Sequence, residues 1–346
     1  MRVKSEKLRV ATVGTGYFSR FQYAAWDRLP EVELVAICNR SPEAARELAE
    51  RYSIGKTYQD FELMLDEVWP DLVDIITPPT THTAYVRAAV QRGIPVICQK
   101  PFTPSISEAR VLTEFIESKQ AKVIIHENFR FQPWYLKLKE LLNRDVLGEL
   151  YQISYCLRPG DGQGPEAYLD RQPYFQQMER LLVHETAVHL IDVFRFLFGE
   201  ISSIYADLRR INPVIRGEDA GILLFEFQNT TRGVFDGNRL SDHAAQNHRL
   251  TMGEMCIEGA AGTLSLDGSG DLFLRKHGAR GRVRVDYDWQ DRDFGGDCVF
   301  NLQRHVVDHL LRGTEVMNVA RDYLVNVEIA EAAYLSHAQG KRISLP

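Results

Sequence analysis

Short apolar runs rich in β-branched residues alternate with amphipathic stretches through the first third of the chain. Leu8–Val13, Val32–Cys38, Leu72–Ile76, Val96–Cys98 and Val123–His126 are nearly continuous in apolar residues, the pattern of strands covered on both faces. Between them the spacing predicts helices up to about Arg28, over Pro42–Tyr52 and Asp60–Leu65, from His82 to Arg92, and over Ser107–Gln120. Such alternation implies a parallel sheet with right-handed crossovers, here a first domain over residues 1–127. After a helix over Gln132–Asn143 the pattern changes. Gly148–Leu157, Ile201–Arg210, Ala220–Gln228, Arg232–Arg239, Met252–Glu258, Thr263–Leu266 and Val283–Trp289 read as strands separated by turns, which predicts an antiparallel sheet. One helix, Arg180–Phe198, interrupts it, and two more follow near Val299–Leu311 and Arg321–His337. Residues 128–346 are therefore expected to form one α+β domain with a large, mostly antiparallel sheet. Its apolar open face calls for a second copy of the chain, so a homo-oligomer is expected.

Composition narrows the partners. The 346 residues are 45% hydrophobic and 25% charged, the balance of a soluble globular protein. A net charge of -6 offers no basic field to nucleic acid. The basic group Lys137, Lys139, Arg144 is mixed with acids and reads as a solvated helix face. Cysteines stand at 38, 98, 156, 256 and 298, odd in number and without a CxxC pair. This suits a reducing cytoplasm better than a secreted disulfide framework. The start of the chain has no apolar leader segment, and no run approaches the ~18 apolar residues of a membrane span.

Three stretches carry chemistry. Gly14-Thr15-Gly16-Tyr17-Phe18-Ser19 follows the first strand and precedes a helix. It is a dinucleotide fingerprint whose third glycine is replaced by Ser19. Gly14 permits the tight turn, Gly16 lets the backbone approach a pyrophosphate, and the helix amino end supplies N–H groups. The acid expected at the end of the second strand is replaced by Asn39-Arg40. Asn39 can still bond a ribose hydroxyl, and Arg40 can meet a 2′-phosphate or lie over adenine. With Glu43 nearby and no second basic residue, NAD is favoured over NADP, the alternative cofactor. Thr77-Pro78-Pro79 ends a strand in a rigid turn suited to wall a nicotinamide ribose, and His82 begins the next helix. Lys100, in Gln99-Lys100-Pro101, lies on a loop at a strand's carboxyl end, where open α/β sheets bind ligands.

The interrupting helix holds His184-Glu185-Thr186-Ala187-Val188-His189. Glu185 and His189 are four apart and share a helical face, so the carboxylate can orient the imidazole. His184 and His189 are five apart, about 140° from a common face in an α-helix, so a zinc site of the HExxH kind is not expected. No metal is predicted.

Gly14-x-Gly16, Gln99-Lys100-Pro101 and Glu185-x-x-x-His189-x-x-Asp192 together resemble the Gfo/Idh/MocA oxidoreductases, such as glucose–fructose oxidoreductase and inositol dehydrogenase. Thr77-Pro78-Pro79, Asn128-Phe129-Arg130-Phe131 and Gly259-x-x-Gly262-Thr263-Leu264 extend the resemblance over nearly the whole chain. It implies a Rossmann domain followed by an antiparallel-sheet domain that also oligomerises, as a homodimer or homotetramer. It also implies hydride transfer between a nicotinamide and a sugar or polyol carbon. Lys100 matches the lysine of the family's Glu-Lys-Pro motif, and His189 the histidine of its Asp-x-Gly-x-His motif. Three departures stand out: Gln99 for Glu, Glu185 for Asp and Ala187 for Gly. The implied catalytic residues are Lys100, His189 and Glu185. The implied cofactor contacts are the loop Gly14, Gly16, Tyr17, Phe18 and Ser19, then Asn39 and Arg40, then Thr77, Pro78, Pro79 and His82, then Gln99, Lys100 and Asn128. A segment with aromatic and hydroxyl-binding groups supplies Arg158, Asp161, Tyr168, Gln172 and Tyr174 as further substrate contacts beside Lys100, Glu185 and His189, or else as a subunit contact. The expected reaction is oxidation of an aldose, a pentose or a branched sugar such as apiose, at C1 to a lactone. A polyol dehydrogenase, a sugar reductase and a cofactor-bound regulator without turnover are the alternatives.

Overall fold

The computed structural model describes residues 7–345. The first six residues, included above in the stretch without an apolar leader, lie outside the described residues. The chain divides into two compact units. One runs up to Asn128 and includes Val299–Val325; the other takes Phe129–Cys298 and the residues from Asn326 onward.

The first unit is built on six parallel strands: β1 (Leu8–Val13), β2 (Val32–Cys38), β3 (Thr57–Tyr58), β4 (Leu72–Ile75), β5 (Val96–Gln99) and β6 (Val123–His126). They lie in the order β3-β2-β1-β4-β5-β6. All of β4, β5 and β6 is buried, as their mostly apolar runs require, and Asp74, Gln99 and His126 are buried with them. The helices are α1 (Ser19–Asp27), α2 (Pro42–Arg51), α3 (Phe61–Val68), α4 (His82–Gln91) and α5 (Ile106–Ser118). Side chains set where three of them begin: Ser41, Asp60 and Ser105 accept the N–H groups of Ala44, Leu63 and Glu108. The order reverses between β1 and β4, so their carboxyl ends border the crevice typical of ligand binding in such sheets.

The second unit begins with α6 (Pro133–Asn143) and carries α7 (Val188–Phe198). Its nine strands are β7 (Leu150–Leu157), β8 (Ile201–Arg209), β9 (Ala220–Phe227), β10 (Arg232–Asn238), β11 (Gly253–Gly259), β12 (Gly262–Leu266), β13 (Leu272–Lys276), β14 (Val283–Arg284) and β15 (Ile343–Ser344). They lie in the order β14-β13-β12-β11-β7-β10-β9-β8-β15, antiparallel throughout except for the β7–β10 pair. Register sorts the two faces. Ala206, Leu223, Phe235, Tyr155, Met255, Leu266 and Leu272 form one row across seven strands, and all are buried. The adjacent row, Tyr205, Leu224, Val234, Ser154, Cys256, Ser265 and Phe273, is half-exposed. This is the two-residue period of a sheet packed on one side. The strand predicted over Val283–Trp289 pairs only at Val283–Arg284, while Leu272–Lys276, bracketed by Gly270 and Gly278, is a strand absent from the prediction.

The prediction of one continuous second domain needs a correction. Most of α8 (Cys298–Arg312) and the start of α9 (Ala320–Gln339) belong to the first unit. Specific polar contacts draw them there. Gln303 Nε2 donates to the Gln22 carbonyl at 3.2 Å, and Arg304 pairs with Glu31 at 2.7 Å. Arg28 lies over the Phe300 ring, and Arg321 pairs with Glu117. The Ile125 N–H also donates to the Asn318 carbonyl at 2.8 Å. These partners are far apart in sequence, and no local pattern announces them.

Candidate active site

In the first unit the Gly14–Ser19 loop is shaped from below. Gly14 has φ +112°, and a Cβ there would lie 2.9 Å from the Ile76 carbonyl carbon and oxygen, so only glycine fits. A Cβ at Gly16 would meet no protein atom within 4 Å. Gly16 is thus not required by packing, and its bare backbone leaves the approach to the α1 amino end clear. This arrangement fits a dinucleotide pyrophosphate. Tyr23 props the loop from α1: its hydroxyl donates to the Gly14 carbonyl at 3.1 Å and lies 2.8 Å from Thr12 Oγ1. Ser19 is buried, and its hydroxyl donates to the Gly16 carbonyl at 2.7 Å, a role beyond being small. Tyr17 is exposed, with Arg20 stacked over its ring, and Phe18 lies beside Phe21.

At the end of β2, Asn39 Nδ2 donates to the Ser41 carbonyl at 3.0 Å, which turns its side-chain oxygen to accept. Arg40 is exposed, and its carbonyl accepts from Gln59. At the end of β4, the Thr81 hydroxyl donates to Thr77 Oγ1 at 2.7 Å, within a tight turn over Pro79–Thr81. His82 is completely buried. Its Nε2 is 2.7 Å from the Thr77 carbonyl and its Nδ1 3.1 Å from the Phe102 carbonyl. It ties the turn after β4 to the loop after β5.

Lys100 begins that loop, half-buried, at a cis peptide to Pro101. Gln99 Oε1 accepts the Lys100 backbone N–H at 2.8 Å. His126 stands in register with Gln99 at the end of β6. It is buried, and burial pushes its pKa down to about 4, which makes it a weak base. Asn128 is buried at the end of this unit.

In the second unit a π-helical turn, Leu182–Ala187, leads into α7, with the Val188 N–H bonded to the Val183 carbonyl. His189 opens α7, is buried, and lies against Phe129, ring centroids 4.1 Å apart and planes 6° from parallel. Farther along α7, Asp192 takes a two-pronged bond from Arg130, Nε to Oδ2 at 2.7 Å and Nη2 to Oδ1 at 2.6 Å. Asn326 adds a bond to the same carboxylate at 2.6 Å. The Phe129–Arg130 pair therefore grips α7 at the imidazole and again three residues later. Glu185 lies in the π-helical turn, half-buried. The 140° separation of His184 and His189 holds only for an α-helix. A π-helical turn closes over five residues, which brings positions five apart nearer one face. Among the described residues no group of three metal-ligating side chains forms around them or elsewhere.

The Arg158–Tyr174 segment is organised by Arg239, a residue that local pattern did not reveal. Arg239 is buried, and its guanidinium donates to Tyr168 Oη at 2.8 Å, Asp161 Oδ2 at 2.8 Å and Thr186 Oγ1 at 2.5 Å. Arg171 also pairs with Asp161, at 3.1 Å. Arg158 bonds the Asp236 carboxylate and carbonyl. Tyr168 and Phe175 join a small apolar core with Ala167, Leu181 and Ile215. Gln172 Nε2 donates to the hydroxyl of Tyr174, which is exposed.

Residues 8–127 match the family model described as oxidoreductase family, NAD-binding Rossmann fold, and residues 135–265 match that of the GFO/IDH/MocA C-terminal domain. The chain is 29% identical to a D-apiose dehydrogenase of Rhizobium rhizogenes, over 98% of both chains. It is 30% identical to a D-apiose dehydrogenase of Paraburkholderia graminis, over 98% of this chain and 90% of that one. An oxidoreductase from Agrobacterium radiobacter, solved with NAD+, L-tartaric acid and magnesium, superposes with a TM-score of 0.87 at 28% identity, covering 98% of each chain.

Proposed function

The chain belongs to the Gfo/Idh/MocA oxidoreductases and is an NAD-dependent enzyme acting on CH–OH groups; from that premise we propose that it oxidises D-apiose, or a closely related pentose, at C1 to the lactone. The observation that carries this reading is the end-to-end likeness to two D-apiose dehydrogenases, with Lys100 and His189 present in the matched chain.

Bound NAD supplies the two-electron acceptor for the hydride leaving C1. His189 takes the proton of the C1 hydroxyl, with the imidazole as general base. The Lys100 ammonium opposes the charge that develops on that oxygen. Phe129 keeps the His189 ring in one plane, and Glu185 orients it. Gly14 and Gly16 shape the diphosphate cradle, with Tyr17, Phe18 and Ser19 at its helix end. Asn39 and Arg40 meet the adenosine ribose; Thr77, Pro78, Pro79, Gln99 and Asn128 border the nicotinamide. His82 contributes by holding the turn after β4. In the sugar-binding segment Arg158, Asp161 and Tyr168 build the frame, and Gln172 and Tyr174 offer polar groups to hydroxyls. The partly exposed row of the nine-stranded sheet meets a second copy of the chain. No helix among the described residues is long and apolar enough to cross a membrane. All five cysteines are free, which fits a reducing cytoplasm.

The test is NADH formation with D-apiose, other aldoses, polyols and inositols, each with NAD and NADP. D-Apiose with NAD is expected to give the highest kcat/KM, and the product to open as an aldonate. Oxidation of polyols alone would remove the C1 assignment. Lys100→Ala and His189→Ala are expected to lower kcat by at least ~10²-fold while NAD still binds.

A further inference from the structure

A line of buried side chains runs through the first unit to Lys100. Asp74, at the centre of β4, is completely buried. Trp26 Nε1 donates to its Oδ2 at 2.8 Å, and Gln22 Nε2 lies 3.3 and 3.4 Å from its two oxygens. Gln99 Nε2 faces Gln22 Oε1 at 3.5 Å, and Gln99 Oε1 accepts the Lys100 N–H at 2.8 Å. Gln22 is completely buried and Gln99 nearly so. The Gln22 backbone is fixed in turn by Gln303.

We propose that Asp74, acting through Gln22 and Gln99, is a positioning residue for Lys100. The proposal rests on Lys100 being the catalytic ammonium. Direction is the heart of it. A carboxylate only accepts hydrogen bonds, so the Gln22 amide must turn its NH₂ group toward Asp74. Its oxygen then faces Gln99, whose NH₂ must turn to meet it. That leaves the Gln99 oxygen for the Lys100 N–H. One buried charge sets the sense of both amides and holds the backbone at Lys100.

The same logic accounts for Gln99 where the family motif has Glu. A carboxylate at 99 cannot donate to Gln22 Oε1. With Asp74 at the other end, Gln22 would have to present its NH₂ group to two carboxylates at once. The relay holds one carboxylate, and in this chain it is Asp74. Burial pushes the Asp74 pKa up to about 7, so kinetics belong at pH 8, where the group is ionised.

The experiment is a set of double-mutant cycles on the full chain with NAD and the best sugar found. Asp74→Asn and Gln99→Glu are each expected to lower kcat about tenfold or more, with KM for NAD unchanged in Asp74→Asn, as a misplaced catalytic group does. Asp74→Asn/Gln99→Glu reverses the two links through Gln22, which then accepts from position 74 and donates to position 99, while the Trp26 and Lys100 N–H groups donate as before; it is expected to recover to within about threefold of the parent. On a Lys100→Ala background, Asp74→Asn is expected to cause no further loss, whereas a merely structural role would lower the residual rate again. Parent-like single variants, a double variant no better than the worse single, or additive losses on the Lys100→Ala background would each overturn the relay. A parent-like Lys100→Ala would instead bring down the functional reading beneath it. Should Asp74→Asn not fold, Gln22→Met interrupts the relay without moving charge and is read the same way.

Discussion

Asp74 is a carboxylic acid enclosed by α1, β1 and β5, with only an indole and an amide as donors. Desolvation is the largest influence and raises its pKa from 3.8 to about 7; the bonds from Trp26 and Gln22 oppose the rise without cancelling it. The titratable groups facing it are the Tyr23 phenol on α1 and the Cys98 thiol on β5, both pushed upward by burial and so neutral at physiological pH. Between about pH 4 and pH 7 the folded chain therefore holds a proton at Asp74 that the unfolded chain has released. Stability from this group is present at low pH, falls as pH rises through that window, and levels off above about 7. Asp74→Asn is expected to remove this part of the pH dependence. Denaturant melts of both proteins at intervals from pH 5 to pH 8 check it; parallel curves would mean that Asp74 does not titrate there. Gln99, Lys100 and His189 were visible as residues in the sequence. The neighbours that orient them, Gln22, Asp74 and Phe129, lie 77, 25 and 60 positions away and follow no motif.

At the level of elements, α7 shows how a helix carrying a candidate base is held still. Its apolar residues bury it on almost every side, which fixes depth but leaves rotation and sliding open. The Arg130–Asp192 pair, with Asn326 on the same oxygen, removes that freedom. The side chains are 10% and 1% exposed, so breaking the pair strands a buried charge. Arg130→Met is expected to destabilise the protein by about 3–5 kcal/mol, and Arg130→Lys to recover little because ammonium cannot make the fork. Thermal melts measure both; a loss under 1 kcal/mol for the methionine variant would show that solvent reaches Asp192. Periodicity located this helix; the expectation that Glu185 shares a face with His189 assumed α-helical spacing, whereas Glu185 lies in the π-helical turn before α7. The π-helical turn before α7 was not readable, because its extra residue is tolerated by packing rather than encoded in local hydropathy.

For the whole molecule the decisive feature is the nine-stranded sheet. One row of side chains is buried across seven strands, and the next row stays half-exposed with Tyr205, Leu224, Val234 and Phe273 in it. A second copy covering the end of that row where Tyr205, Leu224 and Val234 are neighbours would remove adjacent apolar side chains from water. Light scattering is expected to give a dimer or tetramer at micromolar concentration. Leu224→Asp, between Tyr205 and Val234, is expected to shift the mass toward the monomer while the far-ultraviolet spectrum stays the same. A monomeric parent protein would end this assignment.

Local sequence by itself determined the alternation of β and α in the first unit, the switch to an antiparallel sheet, and the glycine turn at Gly14. Each depends on contacts within a few residues or on a period of 2 or 3.6, and both are written in neighbouring positions. Only the tertiary structure decided that Val299–Val325 returns to the first unit, that Arg239 organises the Arg158–Tyr174 segment, and that Asp74 ends a buried relay at Lys100. Those arrangements satisfy polar groups which burial has cut off from water. Which partner satisfies them depends on how distant segments meet in space, and that distance is not carried by any stretch of the chain.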